Sequence, residues 1–91
     1  MKVQQRLAHH TRRAKTDGYT HRALIVLEQS ANPQVRLVVF RSTTFETVRL
    51  VRLEVRNSDN VTQERIWWEI TEPQEVANII GRLEALKWAR I

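Results

Sequence analysis

Between His21 and Thr71 the chain passes through four short β-rich runs, each closed by a polar turn, before it meets a single apolar stripe at helical spacing. Period two repeated four times and then period 3.6 once constrains the fold more than any other feature: it specifies an antiparallel sheet with a helix to cover it. His21 to Gln29 contains Ala23-Leu24-Ile25-Val26-Leu27, a β-rich run too short for a helix, and reads as a strand buried on much of both faces. Ser30-Ala31-Asn32-Pro33 is a turn. Val35 to Arg41 then alternates, with Val35, Leu37 and Val39 opposite Arg36, Val38 and Phe40, and Ser42-Thr43-Thr44 turns the chain again. The third strand runs from Phe45 or Glu46 to Arg56. Its second half sets Val51, Leu53 and Val55 against Arg52, Glu54 and Arg56, the pattern of a half-buried antiparallel strand. In its first half Val48 and Leu50 lie on the side that later becomes charged, which implies a bend or bulge in this strand. After Asn57-Ser58-Asp59-Asn60, Gln63 to Thr71 places Ile66, Trp68 and Ile70 opposite Arg65, Trp67 and Glu69.

Thr71-Glu72-Pro73-Gln74 offers a hydroxyl N-cap, a proline in the first turn and a glutamine three residues after the cap, the start of a helix. Val76, Ile79, Ile80, Leu83 and Leu86 follow as one apolar stripe, able to cover one face of a sheet. The expected fold is therefore α+β: a four-stranded antiparallel meander backed by a C-terminal α-helix. At 91 residues there is one domain, and a domain this small buries only roughly 60–65% of the surface its unfolded chain exposes, which makes self-association a route to further burial. The absence of cysteine excludes a disulfide framework, a thiolate nucleophile and a cysteine-based metal site, and fits a reducing cytoplasm. No stretch approaches the ~18 apolar residues of a membrane span, and Met1 to Ala14 has no apolar run of the signal-peptide kind, so neither a membrane partner nor a leader is expected.

Charge is unevenly placed. Residues 1–22 hold Lys2, Arg6, Arg12, Arg13, Lys15 and Arg22 against Asp17 alone, which accounts for the whole net charge of +5; the other 69 residues are balanced at nine basic and nine acidic. Val3, Leu7, His10 and Ala14 fall at helical spacing, but the stripe is thin and half polar, and Asp17-Gly18 then punctuates the chain. Residues 1–18 accordingly read as a basic, flexible or weakly helical arm on a domain spanning 19–91. Arg12, Arg13 and Lys15 of such an arm seek polyanions, nucleic-acid phosphates first among them.

No constellation for catalysis or for a cofactor stands out. The histidines are His9, His10 and His21, without metal-ligand spacing, and Gly18 and Gly81 cannot build a phosphate-cradling loop. The chain is expected to be no enzyme; a small acid–base ribonuclease using His21, Glu69 and Arg65 is a third reading. Binding has more support. If Val51, Leu53 and Val55 point to the helix, Arg52 and Arg56 point away, and an Ile66/Trp68/Ile70 core leaves Arg65 and Trp67 outward, within reach of Arg36 and Phe40. Cations interleaved with rings on an open sheet suit single-stranded nucleic acid, where guanidinium groups hold phosphates and rings stack on unpaired bases. The alternative is a self-compensating charge lattice with Trp67 at an interface. Trp88, beside the notch left by Ala77 and Gly81 on the helical wheel, suggests a homodimer through the helix, or else wraps the edge of its own sheet. The second functional reading is a small homo-oligomeric adaptor that docks a protein partner through an open sheet edge or the Trp88 face.

Val38-Val39-Phe40-Arg41, Val51-Arg52-Leu53-Glu54-Val55-Arg56, Arg65-Ile66-Trp67-Trp68-Glu69-Ile70 and the passage Ile70-Thr71-Glu72-Pro73-Gln74-Glu75 into a helix lie within Val35 to Leu86. This stretch resembles the single-stranded-DNA-binding domain of the transcriptional positive cofactor four family. The resemblance implies a homodimer, a curved antiparallel sheet backed by a helix, and Phe40, Arg41, Arg52, Arg56 and Arg65 as binding positions. This chain departs from the family in its long apolar first strand and in carrying Arg, Glu and Thr where the family has a lysine-rich sheet and glycine-containing turns.

Overall fold

The computed structural model describes residues 1–27, 32–57 and 59–91; the expected turns at 30–33 and 57–60 and the end of the first strand lie partly outside the described residues. The elements are α1 (Val3–Thr16), β1 (His21–Val26), β2 (Gln34–Arg41), β3 (Val48–Val55), β4 (Val61–Ile70), α2 (Pro73–Leu83) and β5 (Ala89–Arg90). The strands form one antiparallel sheet in the order β4-β3-β2-β1-β5, so the α+β class, the four-strand meander and the C-terminal helix are as expected. No helix among the described residues is long and apolar enough to cross a membrane.

Both faces of the sheet are covered. Val38 and Phe40 of β2, Val51, Leu53 and Val55 of β3 and Trp67 of β4 pack with Val3, Leu7, Ala14 and Tyr19 under α1. On the opposite face Ile25, Val39, Val48, Leu50, Trp68 and Ile70 pack with Val76, Ile79, Ile80 and Leu83 of α2 and with Trp88. The Val51/Leu53/Val55 row thus serves α1 and not the C-terminal helix. β3 needs no bend to explain Val48 and Leu50: it alternates without interruption, and those two residues are the ones α2 covers, whereas Arg52 and Glu54 on the same side lie outside that core. The irregularity is in β4. Leu50 pairs with Trp68 and Arg52 with Arg65, so Val51 faces both Ile66 and Trp67, and a second register shift follows between Glu54 and Val55. The extra residue turns Trp67 onto the α1 face while Trp68 and Ile70 stay on the other, and leaves Ile66 63% exposed.

Residues 1–18 are not an appendage. The stripe Val3, Leu7, His10 and Ala14 is buried, and the helix is tied down at both ends. At its start the Val3 N–H donates to the Asp59 carbonyl at 3.0 Å and the Val61 N–H to the Met1 carbonyl at 2.8 Å, which stitches the N-terminus to the head of β4. At its end the Tyr19 N–H donates to the Ala14 carbonyl at 3.0 Å across Gly18, whose φ of +97° is a conformation glycine adopts without steric penalty. A thin stripe suffices because the sheet supplies the apolar partner.

α2 starts at Pro73 in the first turn, with Glu72 as N-cap and no side-chain cap hydrogen bond, so the expected Thr71 hydroxyl cap is not formed. The helix stops at Leu83, where the Leu86 N–H closes a turn on the Leu83 carbonyl at 2.9 Å. Leu86 and Trp88 are therefore beyond the helix. The chain then lays β5 along β1, His21 opposite Arg90 and Arg22 opposite Ala89. Because α1 closes half the core, Leu7→Ala is expected to cost about 2–4 kcal/mol in denaturant unfolding. Removal of residues 1–16 is expected to abolish the cooperative transition; a truncated chain that still unfolds cooperatively would restore the arm reading.

Candidate nucleic-acid interface

α1 contains no acidic residue, and its cations divide by their angle around the helix. Arg6 turns toward β4 and forms a two-pronged ion pair with Glu64, its Nε donating to Oε2 at 2.9 Å and its Nη2 to Oε1. One turn on, His10 is buried with Nε2 3.4 Å from Glu64 Oε2 and its ring edge-on to His9. Arg13 lies over the Trp67 ring at 4.8 Å. On the β1 side Thr11 accepts a hydrogen bond from Arg22 Nη1 at 2.8 Å. What remains outward is Arg12 and Lys15, both exposed, with exposed Arg13 on their flank. Among the described residues no carboxylate lies within ion-pair distance of these three cations. Arg13 and Lys15 also complement the negative end of the α1 dipole.

Arg49 locks the C-terminal end of α1 to the sheet. Only 4% exposed, it donates through Nη2 to Asp17 Oδ2 at 2.8 Å and to Glu69 Oε1 at 2.7 Å, and lies 4.8 Å from the Tyr19 ring and 4.6 Å from the Trp67 ring. Burial works against its charge, but the hydrogen bonds to Glu69 and Asp17 outweigh it and raise its pKa. Burial, reinforced by the Glu69 charge, pushes the Tyr19 hydroxyl up to about 12, so it stays protonated and donates to Glu69 Oε1 at 3.2 Å. Sequence reasoning missed Arg49; its signal was a cation between two apolar residues, Val48 and Leu50, in the first half of β3.

The expected Arg/aromatic face of the sheet is not assembled. Phe40 is wholly buried beside Tyr19. Arg36 lies on the α1 side of the sheet, donating to Gln34 Oε1 at 2.9 Å and 3.7 Å from Asp59. Trp67 is on that side too, under Arg13 and Arg49. Arg52 and Arg65 are cross-strand neighbours on the other side. There Arg52 donates to Glu54 Oε1 at 3.1 Å and Arg65 covers the Trp68 ring at 4.7 Å, contacts that relieve the repulsion of two facing cations. Arg41 lies 4.3 Å from the Trp88 ring, and Arg56 is exposed at the end of β3. Two features are the physical reason: the β2–β3 register sets Arg36 opposite Leu53 and Leu37 opposite Arg52, which puts Arg36 and Phe40 on the other face from Arg52, and the extra residue in β4 puts Arg65 and Trp67 on opposite faces.

Trp88 is partly buried against its own sheet, the second of the two placements expected for it, while Ala77 and Gly81 are exposed on α2. The nuclease constellation does not form either. His21 stands on β1 and Glu69 and Arg65 on β4, three strand spacings or roughly 14 Å away, with Glu69 and Arg65 on opposite faces. No group of three His, Asp or Glu placed to hold a metal ion occurs among the described residues. No protein-family model, no curated protein and no solved structure matches this chain.

The seating of α1 carries a pH signature. Burial lowers the His10 pKa below its ordinary 6.5, only partly offset by Glu64. Burial opposes the charge of Glu64, but Arg6 and then His10 outweigh it and hold its carboxyl below the ordinary 4.5. In both cases the unfolded chain binds the proton first, so the stabilisation is complete above the unfolded value and is lost as pH falls through the folded one. The denaturant midpoint is expected to decline as pH drops below 6.5 and again below 4.5, the ordinary values of the two groups, with the first decline absent in His10→Gln.

Proposed function

We propose that this protein binds nucleic acid through the outer face of α1, holding phosphates with Arg12, Arg13 and Lys15. The observation that carries this reading is a helix without acidic residues whose outward cations have no carboxylate partner among the described residues, on a domain otherwise balanced in charge. A rigid helix presents these cations at lower ordering cost than a flexible tail, because Val3, Leu7, His10 and Ala14 already hold the backbone.

Single-strand preference rested on exposed rings and on the likeness to the cofactor four domain. With Phe40 buried and Trp67 under two guanidinium groups, the two rings expected to stack on bases are not open to them. Binding of this kind is to the backbone and carries little sequence information.

Fluorescence anisotropy with labelled single-stranded and duplex oligonucleotides tests this. Both ligands are expected to bind with similar affinity at low salt, and affinity should fall steeply as salt rises because phosphate neutralisation releases counterions. Arg12→Glu with Lys15→Glu should weaken both at least about tenfold with only a small fall in the unfolding midpoint, since both side chains are exposed and the one cost to the fold is an anion at the negative end of the α1 dipole. Absence of binding in low salt, or binding indifferent to these reversals, would sink the reading.

A further inference from the structure

The two edges of the sheet are built differently. β4 is bulged twice and carries Glu64, Arg65 and Glu69, devices that keep an edge strand from pairing with another chain. At the other edge β5 covers β1 only at His21 and Arg22. From Ala23 to Val26 the outer side of β1 pairs with no strand among the described residues, and Ala23–Leu27 contains no charge, no proline and no bulge. Leu24 is 42% exposed, Val26 37% and Leu27 54%. A groove of about 480 Å³ runs beside this edge, lined by the apolar Ala23, Leu24, Leu86 and Ala89 and by two cations, Arg22 and Lys87.

We propose that this edge is a homodimer interface, on which β1 of a second copy of the chain pairs antiparallel about Ile25 and joins the two five-stranded sheets into one. The stretch is its own complement. With Ile25 opposite Ile25, Leu24 of each copy faces Val26 of the other and Ala23 faces Leu27, so apolar side chains meet on both faces and no like charges are opposed. β5 sets the limit of the pairing: where it occupies the flank of His21 and Arg22, a strand of the partner cannot continue, and the paired length is the uncharged one.

What favours a second copy is that Ala23–Leu27 is apolar and its own complement, with the cations of the groove, Arg22 and Lys87, outside the paired stretch. Charge does not oppose the pairing. The excess charge sits on α1, which packs across β2, β3 and β4. In the joined sheet the two β3 strands are five spacings, roughly 24 Å, apart. That exceeds two Debye lengths of about 8 Å at physiological salt, so the helices do not repel across the dyad. The dyad runs perpendicular to the sheet, so both α1 helices stand on one face and their outward cations form a single platform. The interface itself is small. Five residue pairs bury less than the ~800 Å² per partner of a standard interface, so the dimer dissociates on dilution.

Sedimentation velocity without nucleic acid tests this separately from oligonucleotide binding. Over concentrations from about 5 to about 500 μM, chosen to bracket a weak dimer, the mass is expected to rise from the 10.8 kDa of one chain toward twice that. Leu24→Lys with Val26→Lys should stay monomeric throughout with unchanged circular dichroism. Ile25→Cys, in a chain otherwise free of cysteine, should oxidise to a linked dimer faster than a Thr16→Cys control on the exposed face of α1. A monomer at the highest concentration, or a dimer that survives the lysine pair, overturns the proposal. Should the lysine variant unfold, the cross-linking comparison decides: a rate no faster than the control overturns it, and a faster one supports it.

Discussion

β2 and β3 are apolar on both sides, and the rest of the architecture follows from that constraint. Val38, Phe40, Val51 and Leu53 point one way, Val39, Val48 and Leu50 the other, and all are buried. A sheet with two apolar faces cannot leave either in water, so one helix does not suffice. The C-terminal segment closes one face with a well-developed stripe. The N-terminal segment closes the other with Val3, Leu7, His10 and Ala14, a stripe that would not hold a helix by itself.

The polar contacts around α1 serve the same end. Glu64 binds Arg6 and His10, and Glu69 and Asp17 bind Arg49, so the carboxylates nearest the helix are spent on holding it and its C-terminal end to the sheet. Such pairs contribute modestly to net stability, because burial taxes each charge, but they fix the rotation of the helix about its axis. That rotation decides which cations are left. Arg6 faces Glu64 of β4; Arg12 and Lys15 face water, with Arg13 exposed on their flank above the Trp67 ring.

The bulge in β4 has the opposite role in the fold, separating what a regular strand would bring together. By giving Val51 two partners it sends Trp67 to α1 and keeps Trp68 for α2, so each helix packs against an indole. The same step disperses the Arg/aromatic cluster that an unbroken alternation over Arg65, Trp67 and Glu69 implies. It also protects this edge of the sheet, in contrast to the bare stretch of β1.

Periodicity alone determined the order of the four central strands, the meander, the start of α2 and the concentration of positive charge before β1, because these depend on local pattern and on counting. It showed the α1 stripe too, but not that the stripe was sufficient, since helix stability there comes from a sheet face contributed by residues more than twenty positions away. The faces of Arg36, Arg65 and Trp67, the burial of Phe40 and Arg49, the C-terminal strand and the folding back of Trp88 were decided only in three dimensions. Alternation has a period of two, so one inserted residue reverses every later assignment, and a bulge leaves no mark in composition.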